Sequence, residues 1–288
     1  MRPATYAIVL ANIGNVFLNW VLMYGNLGCP ALGVVGSGLS TSINQWLMLA
    51  SVLFFARKTL SAYWPGWAGA FAPKPLFRMM RLGLTLGLQF GFEVWAFHAA
   101  GFMMGRLGAI PFAAHAIAIN LATISFMVPS GIGAAAATRV GQLVGAGEEW
   151  KRSAWVAVGL GALVMTIPAA AFVLGARGLT GFYSVDPGVL ALAVAILPIA
   201  GAFQLFDGVQ AVAFGVLRGA GDTRVPAIAN VVGYWVIGLP AGWFLAFSLG
   251  WSARGVWSGL VVGLAAVAGL LLARIVVLAK RGVRRLTI

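Results

Sequence analysis

Glu93 and Asp207, two of the six acidic residues in this 288-residue chain, lie inside long apolar runs. Glu93 falls between Leu82 and Leu107, 12 residues after Arg81 and 13 before Arg106. At about 1.5 Å per helical residue this is roughly 18–20 Å from either flanking charge, near the middle of a bilayer. Asp207 lies 11 residues before Arg218, roughly 16 Å along a helix. No Lys or Arg interrupts either run. An ionised acid at mid-membrane costs about 2.5–3.5 kcal/mol on insertion scales. A proton, a metal cation or a cationic substrate must neutralise each one, which is the chemistry of transport.

Other chemistry is scarce. The chain has no Gly-Lys-Ser/Thr phosphate loop and no His-Glu-x-x-His pair, so neither ATP hydrolysis nor zinc proteolysis is indicated. Its two histidines, His98 and His115, read as packing or cavity-lining groups; His98 is five residues beyond Glu93, about 140° around the helix and so on another face. Gly219-Ala220-Gly221-Asp222 spells the Gly-x-Gly-Asp of intramembrane aspartyl proteases. That chemistry needs a second, facing aspartate, whereas Asp222 sits between Arg218 and Arg224 and reads as a turn closed by local pairing. The chain does not read as an enzyme. Gln89, one turn before Glu93, shares its face and can share a cation or bond the acid. Phe92, Trp95, Phe203, Phe206 and Phe214 offer apolar and cation–π surface to a lipophilic cation, or ordinary packing and lipid contact.

The elements that carry these residues are membrane spans. The chain is 61% hydrophobic and 9% charged, with mean hydropathy +0.96. Eight apolar blocks of about 20 residues or more are expected, at 5–24, 33–55, 76–103, 110–137, 153–175, 188–217, 226–249 and 254–279. Alternating the loops between two sides places 16 Lys and Arg on one and three (Arg106, Arg177 and Arg254) on the other. This positive-inside asymmetry puts both termini in the cytoplasm of a multi-pass inner-membrane protein. The net charge of +13 is therefore a topology signal, and nucleic acid is not an expected partner. Cys29 is the lone cysteine, which excludes an internal disulfide. Its neighbours make a poor lipidation site, and the first apolar run reads as an uncleaved helix.

The widest break, residues 58–74, carries Pro65, Tyr63, Trp64 and Trp67 beside basic residues, as an interfacial cytoplasmic segment would. It divides the chain into 1–57 and 75–288. The turn Gly28-Cys-Pro-Ala31-Leu-Gly33-Val34 matches Gly250-Trp-Ser-Ala253-Arg-Gly255-Val256, an internal repeat that makes the first two helices the end of one unit and the next six a complete second. Asn12, Asn15 and Asn19 form a polar stripe, as do Ser37, Thr41 and Asn44 or Gln45; interhelical bonding or an aqueous wall would each explain them. Gly83, Gly87 and Gly91, and likewise Gly255, Gly259 and Gly263, read as close helix contacts. Pro129, Pro168, Pro198 and Pro240 fall inside spans, where each permits a kink.

Several ordered motifs carry a family resemblance. Leu217-Arg-Gly-Ala-Gly-Asp-Thr-Arg224 with Pro226 resembles the signature after the tenth helix of the multidrug and toxic compound extrusion (MATE) transporters, and Phe203-Gln204-Leu-Phe-Asp207-Gly208-Val-Gln210 resembles that helix. Ala114-His115-x-Ile117 with Asn120, Phe126-Met-Val-Pro129-x-Gly131-Ile-Gly133, and Arg139-Val-Gly141-Gln-x-x-Gly145-Ala-Gly147 are similar to helix eight and its exit loop. The resemblance implies an all-α polytopic fold in which 1–57 are the last two helices of the first lobe and 75–288 the six-helix second lobe, the first four helices being absent. It implies exchange of Na⁺ or H⁺ for amphipathic or cationic organic compounds, with no cofactor beyond the coupling ion. Glu93 and Asp207 match the cation-binding acids of the second lobe, with Gln89, Asn120, Gln204 and Gln210 as supporting cavity residues. Two further readings stand beside it: a non-transporting fragment or structural half of a transporter, and a related flippase of lipid-linked sugars, for which an Arg-rich cavity would be expected.

Overall fold

The computed structural model describes residues 2–62 and 73–281, and every described element is helical. The interfacial reading of Tyr63, Trp64 and Trp67 lies outside the described residues. The chain divides into two compact units, Met1–Leu76 and Phe77–Ile288.

The first unit is a helical hairpin of α1 (Arg2–Leu22) and α2 (Gly33–Ala62). Its turn uses left-handed backbone at Gly28 (φ 81°), as the matching turn does at Gly250 (φ 72°). The polar stripes bond mostly within their own helices: Asn12 Nδ2 donates to Ile8 O and Asn19 Nδ2 to Asn15 O, both at 3.0 Å, and Thr41 Oγ1 donates to Ser37 O, also at 3.0 Å. The bond from Ser40 Oγ to Asn15 O, at 3.4 Å, crosses between the helices.

The second unit contains most of α3 (Pro73–Leu107), then α4 (Ala109–Ala146), α5 (Lys151–Leu174), the short α6 (Ala176–Gly181) and α7 (Pro187–Gly219). A further span, Arg224–Ser248, alternates α8 (Arg224–Asn230), a π-helical stretch (Val231–Gly238), α9 (Leu239–Trp243) and a second π stretch (Phe244–Ser248). The last helix is α10 (Ser252–Arg281). Pro129, Pro168 and Pro198 sit inside continuous helices, and Pro240 falls between the two π stretches. Asp186 opens α7 by accepting the Val189 N–H at 2.9 Å, with Pro187 in the first turn where its missing donor costs nothing.

Helix α7 is the centre, packed against α4, α5, α6 and α10. Its sequence is apolar apart from the buried Gln204, Asp207 and Gln210, and its neighbours cover all of it but a stripe through Ala191, Pro198, Ala202 and Leu205. At Gly208 the α5 backbone comes so close that an added Cβ would lie 2.6 Å from Gly161 O. Between α10 and the 224–248 span, glycine meets glycine: a Cβ at Gly263 would lie 2.8 Å from Gly238 Cα, and one at Gly259 would strike Gly242. That part of the glycine reading holds. The other part does not, because a Cβ at Gly83, Gly87 or Gly91 meets nothing within 4 Å. The stripe on α3 faces open space rather than a neighbouring backbone.

Seven described helices are long and apolar enough to cross a membrane, against the eight expected. The span without that standing is α3, long enough at 35 residues but diluted by Gln89, Glu93, His98 and five glycines. Asp222 meets expectation in part. Its partner is Arg274 of α10, with Nε 2.6 Å from Oδ2, while its Oδ1 accepts the Val225 N–H at 3.2 Å. The Val225 bond closes the local turn, and the ion pair in addition joins the end of α7 to a helix 52 residues away.

Candidate functional site

Glu93 on α3 and Asp207 on α7 line one cavity of about 250 Å³, walled by Phe90, Phe97, Ile119, Phe126 and Phe203. Asp207 is 4% exposed. Neither carboxylate has a Lys or Arg within ion-pair distance among the described residues, where Arg274–Asp222 is the ion pair found. The cavity adjoins a larger one of about 790 Å³ through Phe97, His98 and Ile119, which line both.

Helix α3 meets its neighbours through side chains. Phe97 packs edge-on to Phe203 and Tyr234, at ring separations of 5.9 and 5.6 Å. Arg106 lies over Trp243 at 5.1 Å, and Arg218 lies over Phe90 at 5.5 Å. Midway, Glu93 takes two amide donors. Gln210 Nε2 donates to its Oε1 at 3.1 Å, and Asn230 Nδ2 donates to its Oε2 at 3.2 Å. Each donor is itself held. Tyr234 Oη donates to Gln210 Oε1 at 2.9 Å, and Asn230 Nδ2 also donates to the Gln89 carbonyl at 3.3 Å. An ionised carboxylate accepts through about four lone-pair sites, so two stay free on Glu93. The arrangement orients a carboxylate and leaves it room for a further ligand.

The remaining expected residues divide. Gln210 bonds Glu93 directly, while Gln89 contributes its main chain and lines a smaller adjoining cavity. Gln204 is fully buried, donates to Ser125 Oγ at 2.7 Å and is absent from the lining of the acids' cavity. Asn120 accepts from Tyr183 Oη at 2.8 Å and is absent from the acids' cavity. Among the aromatics, Phe203 lines that cavity and Phe214 the smaller one. Phe92, Trp95 and Phe206 line neither, and Phe92 and Trp95 stack edge-on at 5.8 Å. Helical period explains this: Phe92 and Phe206 each sit 100° from the adjacent acid and Trp95 about 200° from Glu93, whereas Phe203 is one turn from Asp207. His98 does line the acids' cavity despite its 140° offset, because the cavity curves along α3 into the larger one. His115 is 5% exposed, its Nδ1 is buried without a partner, and its ring lies 5.7 Å from Trp257.

Asn230 and Tyr234 were not foreseen as site residues. A lone buried amide in the apolar 226–249 segment is costly without a partner, and that cost was the available signal.

These features define a polytopic membrane protein with an inward-facing pair of carboxylates. The sequence model of the MatE family matches residues 86–244, more than half of the chain. A "Probable multidrug resistance protein NorM" of Mesorhizobium japonicum is 42% identical over 95% of this chain and 61% of its own length. A "Multidrug resistance protein NorM" of Burkholderia vietnamiensis is 38% identical over 92% of this chain and 59% of its own. The fold is shared with the eukaryotic MATE transporter AtDTX14, at TM-score 0.83, 22% identity and coverage of 94% of this chain and 61% of that one. It is also shared with MATE transporter ClbM in complex with Rb⁺, at TM-score 0.76, 20% identity and coverage of 98% and 60%. The chain belongs to the MatE family. It spans about 60% of the length of the relatives it matches.

Proposed function

We propose that the chain forms the ion-binding part of a secondary antiporter that exports amphipathic or cationic organic compounds by alternating access, in exchange for Na⁺ or H⁺. The observation that carries this reading is the pair of acids. Glu93 and Asp207 share one cavity, and no basic side chain answers either among the described residues. A cation between them removes charge worth several kcal/mol, enough to bias two helix packings. Glu93 has leverage for this, because its bonds to Gln210 and Asn230 help to fasten α3 to the rest of the unit. The adjoining larger cavity, with Phe97, Phe102 and Phe112 in its walls, suits an organic substrate. The multidrug-resistance names of the relatives support the same class of compound.

In this reading eight helices span the inner membrane with both termini cytoplasmic. Residues 1–57 complete a first lobe, 58–74 form a cytoplasmic linker, and 75–288 are the six-helix second lobe. The lipid bilayer, an organic cation and the coupling ion are the partners.

The test uses a chimera in which the N-terminal remainder of the Mesorhizobium relative precedes this chain. Efflux of a fluorescent organic cation is followed in energised vesicles with and without a Na⁺ or pH gradient. Asp207→Asn and Glu93→Gln should each abolish gradient-dependent efflux while the protein still inserts. Normal efflux by the double variant would refute the reading.

A further inference from the structure

Glu93 lies where two cavities meet. The cavity it shares with Asp207 leads to the large aromatic one. A second, of about 110 Å³, leads the opposite way and ends at Arg218, also sharing Phe90 and Phe126 with the first. Its size decides what can use it. Drug-sized ligands occupy roughly 300–1,000 Å³, while one water needs only about 10–15 Å³. An organic substrate does not fit, but a small cation with a few waters does. The lining is polar enough to be wetted, with Gln89, Gln210 and Ser130 between the carboxylate and the guanidinium.

Gln210, Phe214 and Arg218 follow at four-residue spacing on α7 and all line this passage. Among the described residues Arg218, at the end of the passage, has no carboxylate within ion-pair distance. Its Nε is buried with no hydrogen-bond partner, and its guanidinium rests on Phe90. The nearby Asp222 is committed to Arg274 and to the Val225 N–H. A carboxylate thus stands at one end of a narrow, partly polar passage and, at the other, a guanidinium that no carboxylate of the described residues pairs.

We infer that this passage is a small-ion route to Glu93, separate from the cavity that takes the organic substrate, and that Arg218 sets its charge selectivity. The inference rests on reading Glu93 as a cation ligand. A fixed positive charge at the mouth slows cations in both directions. The ion on Glu93 is thereby retained until α3, which carries Phe90, moves and shifts the guanidinium from the opening.

The test places a reporter thiol in the passage of the full chain in proteoliposomes, with Cys29→Ser removing the native thiol. Phe214→Cys lies one turn from Arg218, and Ser130→Cys reports from α4 should the first variant fold poorly. Each is reacted with a cationic and an anionic methanethiosulfonate of similar size. The ratio of cationic to anionic rates should rise at least about tenfold on adding Arg218→Met, the effect of one charge on the order of 10 Å away at an effective dielectric near 20. Arg218→Lys should keep the ratio of the parent. Equal ratios in all three backgrounds, or no reaction at either thiol with either reagent, would overturn the inference. Binding of radioactive Na⁺, or proton release, in Glu93→Gln tests the parent reading independently, since neither enters the thiol ratio.

Discussion

Replacing the two acids by amides should have opposite effects on stability, and the reason lies in their hydrogen bonds. Glu93 receives Gln210 Nε2 on one oxygen and Asn230 Nδ2 on the other. In Glu93→Gln one oxygen becomes an NH₂ group, which points at a donor whichever way the amide is turned. Neither neighbour can reverse freely. Gln210 is fixed by Tyr234 Oη on its Oε1, and Asn230 would surrender its bond to the Gln89 carbonyl to offer its unpartnered Oδ1. One interhelical bond is therefore lost, worth about 0.6 kcal/mol on average in membrane helices and up to about 1.7. A buried donor left unpaired raises the cost towards about 1–3 kcal/mol. Asp207→Asn carries no such conflict, because among the described residues no hydrogen bond to the Asp207 side chain is found and the change relieves a buried charge. Thermal unfolding in detergent, followed by tryptophan fluorescence, should place Glu93→Gln about 2–4 °C or more below Asp207→Asn, at about 2–4 °C per kcal/mol for a protein of this size class. The swap Glu93→Gln with Gln210→Glu supplies every donor with an acceptor again and should recover most of the loss. A single Glu93→Gln as stable as Asp207→Asn, or a swap no better than the single change, would refute the network.

Tyr234→Phe should lower stability by about 0.5–1.5 kcal/mol, and the loss should shrink when Gln210→Leu is already present, as a double-mutant cycle on melting temperature would show. Gly259→Ala should destabilise by at least about 1–3 kcal/mol through overpacking against Gly242, whereas Gly87→Ala, facing open space, should be neutral or gain up to about 1 kcal/mol of helix propensity; urea unfolding distinguishes them. Arg224→Cys and Arg254→Cys should label from opposite sides of intact cells, and labelling of both from one side would overturn the proposed topology.

Much of the site was legible because membrane burial makes charge conspicuous. Glu93 and Asp207 stand out against apolar runs, and the structure brings them to one cavity. The α10 glycines were legible for a related reason: four-residue spacing puts them on one face, and a backbone does lie against that face. The same spacing on α3 misled, because a smooth face records that a helix can approach and not that one does. Among the aromatics, composition without angular position over-collected: Phe92 and Trp95 are adjacent to Glu93 in sequence but turned off its cavity. Asn230 and Tyr234 escaped notice because their partners lie on α3 and α7, across 137 and 24 residues of chain respectively. Asp222 escaped likewise, since nothing near it announces Arg274.

The π-helical stretch at Val231–Gly238 has a consequence for chain length. Its i→i+5 bonding accommodates a residue that an ordinary helix would not, so the span behaves like a thread with one tooth added. Deleting a single residue there would let the segment relax to α spacing without breaking the helix. Everything beyond would keep its facing, because the deletion removes the residue that the wider turns absorb, so Trp243 and Phe247 would stay at Arg106 and Asn230 beside Glu93. The stretch thus works as slack: a one-residue shortening is taken up inside it and is passed on to neither the Arg106 stacking nor the Asn230 bond.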